Sequence, residues 1–218
     1  MRALLGPFLC FTLTAVAQPH ARDPFLLDDQ SLTQRAAARG QDALHRIEAL
    51  TRLLHEASAL SERERLEAVN RFFNQARFVS DAEQWGVEDY WATPAEFLLQ
   101  DAGDCEDFAL AKYFALLRVG VPPERLRLTY VNALALGQPH MVLAYYPRPE
   151  AEPLVLDNLM AEIRPASLRP DLKPVYSFNG VGLWLAKERG QGRLAGGPGR
   201  LDRWVELNRR IDQGSARP

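Results

Sequence analysis

Apolar residues recur at intervals of three and four through the first part of the chain and switch to alternation further on. From Ser31 to Leu60 the spacing is helical: Leu44, Ile47, Leu50, Leu53 and Leu54 fall on one stripe with Arg, Glu and Gln between them. Ser61 and Glu64 form a capping-box pair that opens a second helix, "RLEAVNRFFNQARF", with Leu66, Val69, Phe72 and Phe73 on one face. Thr93-Pro94 predicts a short helix running to Gln100, with Gly103 ending it. A broad apolar face of Phe108, Leu110, Ala111, Phe114 and Leu117 predicts a helix from Cys105 to Val119, stopped by Gly120 and "VPPER".

Strand patterns follow. "RLRLTYV" alternates, "HMVLAYY" is rich in β-formers, and "PLVLDN" comes after the turn "PRPEAE". "KPVYSFN" and "GLWLA" add one or two more. "GQGRLAGGPG" lacks the Gly-Lys-Ser/Thr ending of a phosphate cradle and is read as a flexible connector, while "LDRWVELNRRI" closes the chain as an amphipathic helix. Helices first and strands later predict an α+β domain, a helical layer packed on an antiparallel β-sheet.

Composition alters this picture little. The 218 residues are 47% hydrophobic and 25% charged, enough for one compact domain, and the formal net charge of -2 gives no basic excess for nucleic acid. The first residues change it more. Arg2, an apolar run from Ala3 to Val16 and the small residues Ala15 to Ala17 have the form of a secretory signal peptide, too short to span a bilayer. The expected organisation is therefore a signal peptide over 1–17, a flexible lead-in over 18–30 and a single domain over 31–218. The product would be exported and not membrane-spanning.

Cleavage removes Cys10 and leaves Cys105 alone. One thiol cannot form an internal disulfide, and in an oxidising compartment it is a liability unless buried or used. For a lone cysteine without context, burial in the core is the simpler account. The context here is chemical. At a helix N-terminus free backbone N–H groups and the macrodipole favour thiolate and can hold an oxyanion. Asp104 and Glu106 oppose thiolate unless something cationic neutralises them.

A cysteine nucleophile needs a base. His20 falls in the lead-in, and His45 and His55 lie among charged residues on a solvated helix face. His140 opens the strand "HMVLAYY". Pairing residues 140–146 with 154–158 around a turn centred between Arg148 and Pro149 sets His140 opposite Asp157, where an acid can fix the imidazole tautomer. A one-residue slip would separate them. Trp85, Tyr90 and Trp91 precede the cysteine helix and could supply a second oxyanion donor or simply pack.

Cysteine on a helix start, histidine at a strand start and aspartate at the end of the next strand resemble the transglutaminase-like branch of the papain-type fold. More narrowly, "GDCEDFALAKYFALLRVGVPPERL", "HMVLAYY", "LVLDNL" and "YSFNGVGLWL", spread from about Phe72 to Leu185, resemble the bacterial transglutaminase-like cysteine proteinases of the LapG type. The resemblance implies a papain-like/transglutaminase-like fold with Cys105 as nucleophile, His140 as general base and acid, and Asp157 as orienting carboxylate. It further implies a calcium-dependent periplasmic endopeptidase that cuts a large surface adhesin near its N-terminus, at a di-alanine site, and so releases biofilm cells. A LapD-type inner-membrane cyclic di-GMP receptor would sequester it. Asp104 and Glu106 match the family's calcium-binding acids. Calcium takes six to eight oxygens, so Asp107, Asp101, backbone carbonyls and water are candidate additions, Asp107 foremost. Two rivals stay open: a transglutaminase, if an amine takes the acyl group, and a non-catalytic binding module on the same fold.

Overall fold

The structure is a computed structural model and describes residues 22–185 and 192–214; the expected signal peptide, Cys10 and His20 lie outside the described residues. Helices α1 (Gln30–Arg39), α2 (Gln41–Ala57) and α3 (Glu62–Phe73) come first. The continuous helical pattern from Ser31 is cut at Gly40, whose φ of 110° lies where a side chain is strained, so one stripe serves two helices. Ser61 and Glu64 cap α3 reciprocally, as the sequence predicts.

The lead-in is not loose over its described part. Phe25 is fully buried and stacks on Phe73, Asp23 pairs with Arg118, and Asp29 caps α1. An aromatic ring and its partners pin a segment that has no periodicity to announce it.

Short elements then bring the chain to the central helix. Strand β1 (Arg77–Phe78) runs parallel to β2 (Ala102–Gly103), with α4 (Asp81–Gln84) and α5 (Pro94–Gln100) between them. Thr93 and Glu96 form the cap of α5, but Asp101 with φ 51° ends it, not Gly103. Gly103 is glycine for another reason: a Cβ there would stand 2.5 Å from Asp107 Oδ2 and 2.8 Å from a Phe97 ring carbon.

Helix α6 (Cys105–Arg118) is buried from Asp107 through Leu116. It packs on one face of a seven-stranded antiparallel sheet of β3 (Leu126–Ala133), β4 (Gln138–Tyr145), β5 (Leu154–Leu156), β6 (Arg164–Pro165), β7 (Leu172–Phe178), β8 (Leu183–Leu185) and β9 (Arg193–Gly196), in spatial order β6-β5-β4-β3-β7-β8-β9. The strand β9 falls within "GQGRLAGGPG", so part of the expected connector pairs with β8 as an edge strand. Leu126, Leu128, Met141, Leu143, Leu156 and Phe178 face the helices; Val131, Val142 and Val155 form a smaller cluster on the other side. Each fully buried aliphatic contributes about 1.5–3 kcal/mol of transfer free energy. Helix α7 (Asp202–Gln213) closes the core with Trp204, Leu207 and Ile211, and Arg210 reaches Glu96 at 3.0 Å. This is the expected α+β arrangement, a helical layer on an antiparallel sheet.

Candidate active site

Cys105 is the first residue of α6, at the end of the helix where backbone N–H groups have no intrahelical partner. The β4–β5 pairing covers only Leu143 to Tyr145, so Met141 lies beyond it, and its N–H bonds the Cys105 sulfur. The thiol thus meets the residue next to His140. Its proton is given to Glu106, with sulfur 3.0 Å from the carboxylate. Burial pushes the thiol far above its ordinary value, and Glu106 and Asp104 push in the same direction.

His140 Nε2 stands 2.8 Å from Asp157 Oδ1, with both side chains buried. The register that produces this differs from the expected one. Leu143 pairs with Leu156, which centres the turn between Pro149 and Glu150 and moves the partner strand by two residues. A two-residue shift preserves the face of each side chain. Asp157 therefore remains on the side of His140 and is reached diagonally, past the last paired residue of β5. Burial raises the Asp157 carboxyl, but the His140 contact, the Leu159 N–H and Arg169 outweigh it and hold it at about 2. With Asp157 ionised, Nε2 is the donor to it, and Nδ1 is the ring nitrogen left to act as acceptor.

Sequence reasoning missed what lies around this acid. Arg169 Nη2 donates to Asp157 Oδ2 at 2.7 Å, Asn74 Nδ2 donates to the Asp157 carbonyl at 2.8 Å, and Lys112 on α6 is buried nearby with its charge acting on Asp157. Burial lowers the Lys112 amine to about 7. Asn74 and Lys112 lie within predicted helical segments but off their apolar stripes, and Arg169 belongs to no motif. "RPDLKP" around Arg169 reads as an ordinary proline turn.

The acids beside Cys105 form part of a larger group. Carboxylate oxygens of Asp81, Asp104 and Asp107 lie within 4.8 Å of one another, as do those of Asp81, Asp89 and Glu106, and ligand atoms of Asp104, Cys105 and Glu106. Asp81 and Asp89, brought in by α4 and the loop after it, had no signal in the sequence. Asp101 instead pairs with Arg46 at 3.5 Å. Burial, then Glu106 and Asp107, raises Asp104 to about 10, and burial raises Asp81 to about 6. Asp104 Oδ1 is buried without a partner. The carboxylate oxygens of the five acids, crowded and one of them orphaned, fit a hard divalent cation. Asp107 also holds the backbone together here, since its Oδ1 accepts the Ala92 N–H at 2.7 Å and its Oδ2 the Asp104 N–H at 3.4 Å.

Of the aromatic residues considered as oxyanion donors, Tyr90 gives its hydroxyl to Glu96 at 2.9 Å, and Trp91 stacks on Phe178 in the core. Trp85 Nε1 is buried without a partner. His45 and His55 are exposed on α2, as expected.

A buried helix that begins at a cysteine and lies on an antiparallel sheet, with a His–Asp pair on the adjoining strands, defines a transglutaminase-like fold. The profile of the bacterial transglutaminase-like cysteine proteinases (BTLCP) matches residues 48–170, and the chain belongs to that family. Among solved structures, Legionella pneumophila LapG superposes with a TM-score of 0.73 at 45% identity, covering 84% of this chain and 96% of that one. Its calcium-bound form matches at 0.72 and 46% identity, covering 84% and 98%, and its EGTA-treated form at 0.74 and 45%, covering 84% and 96%. No curated protein matches. Among the described residues no helix is long and apolar enough to cross a membrane.

Proposed function

We propose that this cysteine proteinase is a calcium-dependent periplasmic endopeptidase with Cys105 as nucleophile, His140 as general base and acid, and Asp157 as the acid that aligns His140. The observation that supports it most is the buried 2.8 Å contact of His140 Nε2 with Asp157 Oδ1, one residue from the strand amide that bonds the Cys105 sulfur. His140 Nδ1 takes the thiol proton as sulfur attacks the scissile carbonyl carbon. The Cys105 N–H, free at the helix start, holds the oxyanion. The tetrahedral adduct collapses, His140 returns the proton to the leaving amine, and a thioester remains. Water then attacks the thioester and gives its proton to His140, releasing the carboxylate product and the thiol.

Asp81, Asp89, Asp104, Glu106 and Asp107 would hold calcium, whose charge offsets the carboxylates that disfavour thiolate. Two solved forms of LapG, one described as calcium-bound and one as EGTA-treated, support calcium binding here. The substrate we propose is the N-terminal region of a large surface adhesin, cut so that biofilm cells are released. Sequestration is by a LapD-type cyclic di-GMP receptor in the inner membrane.

The test is incubation with an adhesin N-terminal fragment, with and without chelator, reading the product's new N-terminus. Cleavage should stop in Cys105→Ala without loss of fold, stop in chelator, and return with added Ca²⁺. A Cys105→Ala enzyme that still cuts refutes the nucleophile, and full turnover in excess chelator removes the metal. An isopeptide product or released ammonia would make the protein a transglutaminase.

A further inference from the structure

We propose that Arg169 is a positioning residue for the reaction, clamping Asp157 so that its carboxylate stays aimed at the His140 ring. The inference rests on the proteinase reading above and concerns the same site.

Arg169 follows the 3-10 turn Ala166–Leu168, and its N–H closes on the Ala166 carbonyl at 3.0 Å. Its side chain is 2% exposed. Nη2 donates both to Asp157 Oδ2 at 2.7 Å and to Asp171 Oδ2 at 2.8 Å, and Nε donates to Asp171 Oδ1 at 3.0 Å. The guanidinium is therefore fixed from the outside by Asp171, whose side chain is 39% exposed, and presents one N–H inward. Asp157 Oδ1 already accepts from His140 and from the Leu159 N–H. With Oδ2 held as well, the carboxylate cannot rotate about its Cβ–Cγ bond without breaking a charged hydrogen bond.

A structural role alone accounts poorly for this residue. Arg169 Nη1 is buried with no partner, an arrangement proteins seldom keep without use. A buried ion pair can usually be replaced by apolar side chains of the same volume with no loss of stability. Holding an acid in one orientation and one charge state is what an apolar residue cannot do. The titratable and charged groups facing Asp157 are His140 from β4, Arg169 and Asp171 from the segment after the 3-10 turn, and Lys112 from α6. Burial raises the carboxyl, so without Arg169 it ionises at a higher pH.

The experiment uses Arg169→Met, Arg169→Lys and Asp171→Asn in the full chain with Ca²⁺. It reads kcat and KM on the adhesin fragment, the carbon-13 titration of the Asp157 carboxyl, and the downfield proton NMR resonance of His140 Nε2–H. For Arg169→Met, kcat should fall about 10- to 100-fold, the loss of one charged hydrogen bond, with KM changed less than about 2-fold. The titration of the Asp157 carboxyl itself, followed by its carbon-13 resonance, should move up by about one pH unit or more. The downfield resonance should broaden or vanish. Arg169→Lys keeps the charge but not the fork, so it should hold the Asp157 titration near its original place and recover part of kcat. Unchanged kcat, Asp157 titration and resonance in a folded Arg169→Met protein overturn the proposal. If that variant does not fold, Asp171→Asn decides. It loosens the clamp from the solvent side and should shift the same readouts less far in the same direction, and no shift overturns the proposal. If the wild type cuts no fragment, the proteinase reading fails, and the Asp157 titration and the resonance decide the clamp.

Discussion

Asp107 is the residue at which a metal role and a structural role can be separated by measurement. It is 1% exposed and accepts the Ala92 N–H at 2.7 Å, tying the segment before α5 to the start of α6, and the Asp104 N–H at 3.4 Å. Two substitutions divide its contributions. Asp107→Asn removes an ionisable carboxyl that burial and then Glu106 push well above its ordinary value, but keeps an oxygen for Ala92. Asp107→Ala removes the same carboxyl and abandons the Ala92 donor inside the protein. The difference between them is that buried donor, about 1–3 kcal/mol. For a domain of this size each kcal/mol moves the melting temperature by about 2–4 °C, so Asp107→Ala should melt about 2–12 °C below Asp107→Asn. The assay is thermal unfolding followed by circular dichroism, in chelator, so that cation binding does not enter. Glu106→Gln, whose carboxyl group meets the thiol and the Asp104 carboxyl, is the control and should not melt lower than the wild type in chelator. With Ca²⁺ added, the wild type should gain stability and Glu106→Gln should gain less. Equal melting of the two Asp107 variants in chelator would refute the strap to Ala92.

Gly103→Ala should lower stability by about 1–3 kcal/mol, because the new methyl overlaps Asp107 and Phe97; a melting temperature equal to that of the wild type would show that the crowding relaxes freely. Lys112→Met should stabilise the fold at low pH. Burial holds the amine at about 7, below its ordinary 10.5, so the wild type loses stability as pH falls from about 10.5 to about 7 and carries the full penalty below that. The advantage of Lys112→Met in urea unfolding should therefore be largest below pH 7 and shrink toward pH 10; an advantage independent of pH would contradict the burial argument.

Much of this protein could be read along the chain, because the signals involved are short-ranged. The capping pairs Ser61–Glu64 and Thr93–Glu96 act within one turn and formed as written. Cys105 begins its helix and His140 lies near the start of its strand because apolar periodicity marks both elements. The side of the sheet that Asp157 shares with His140 was also legible, since the two-residue period of a strand survived a register error of two.

Other features depended on contacts between distant parts of the chain, and no local pattern encodes them. Asp81 and Asp89 join the acids of α6 only because β1 pairs with β2 and folds the intervening loop back. Phe25 is held by Phe73, 48 positions away, so the lead-in is ordered by a ring it cannot announce. Arg169 and Lys112 are charged residues whose sequence suggests solvent, and burial beside Asp157 gives each a different chemistry. Sequence could place the sulfur, the imidazole and the carboxylate on their elements; desolvation and the charges packed around them, which set their protonation, exist only once the chain has closed.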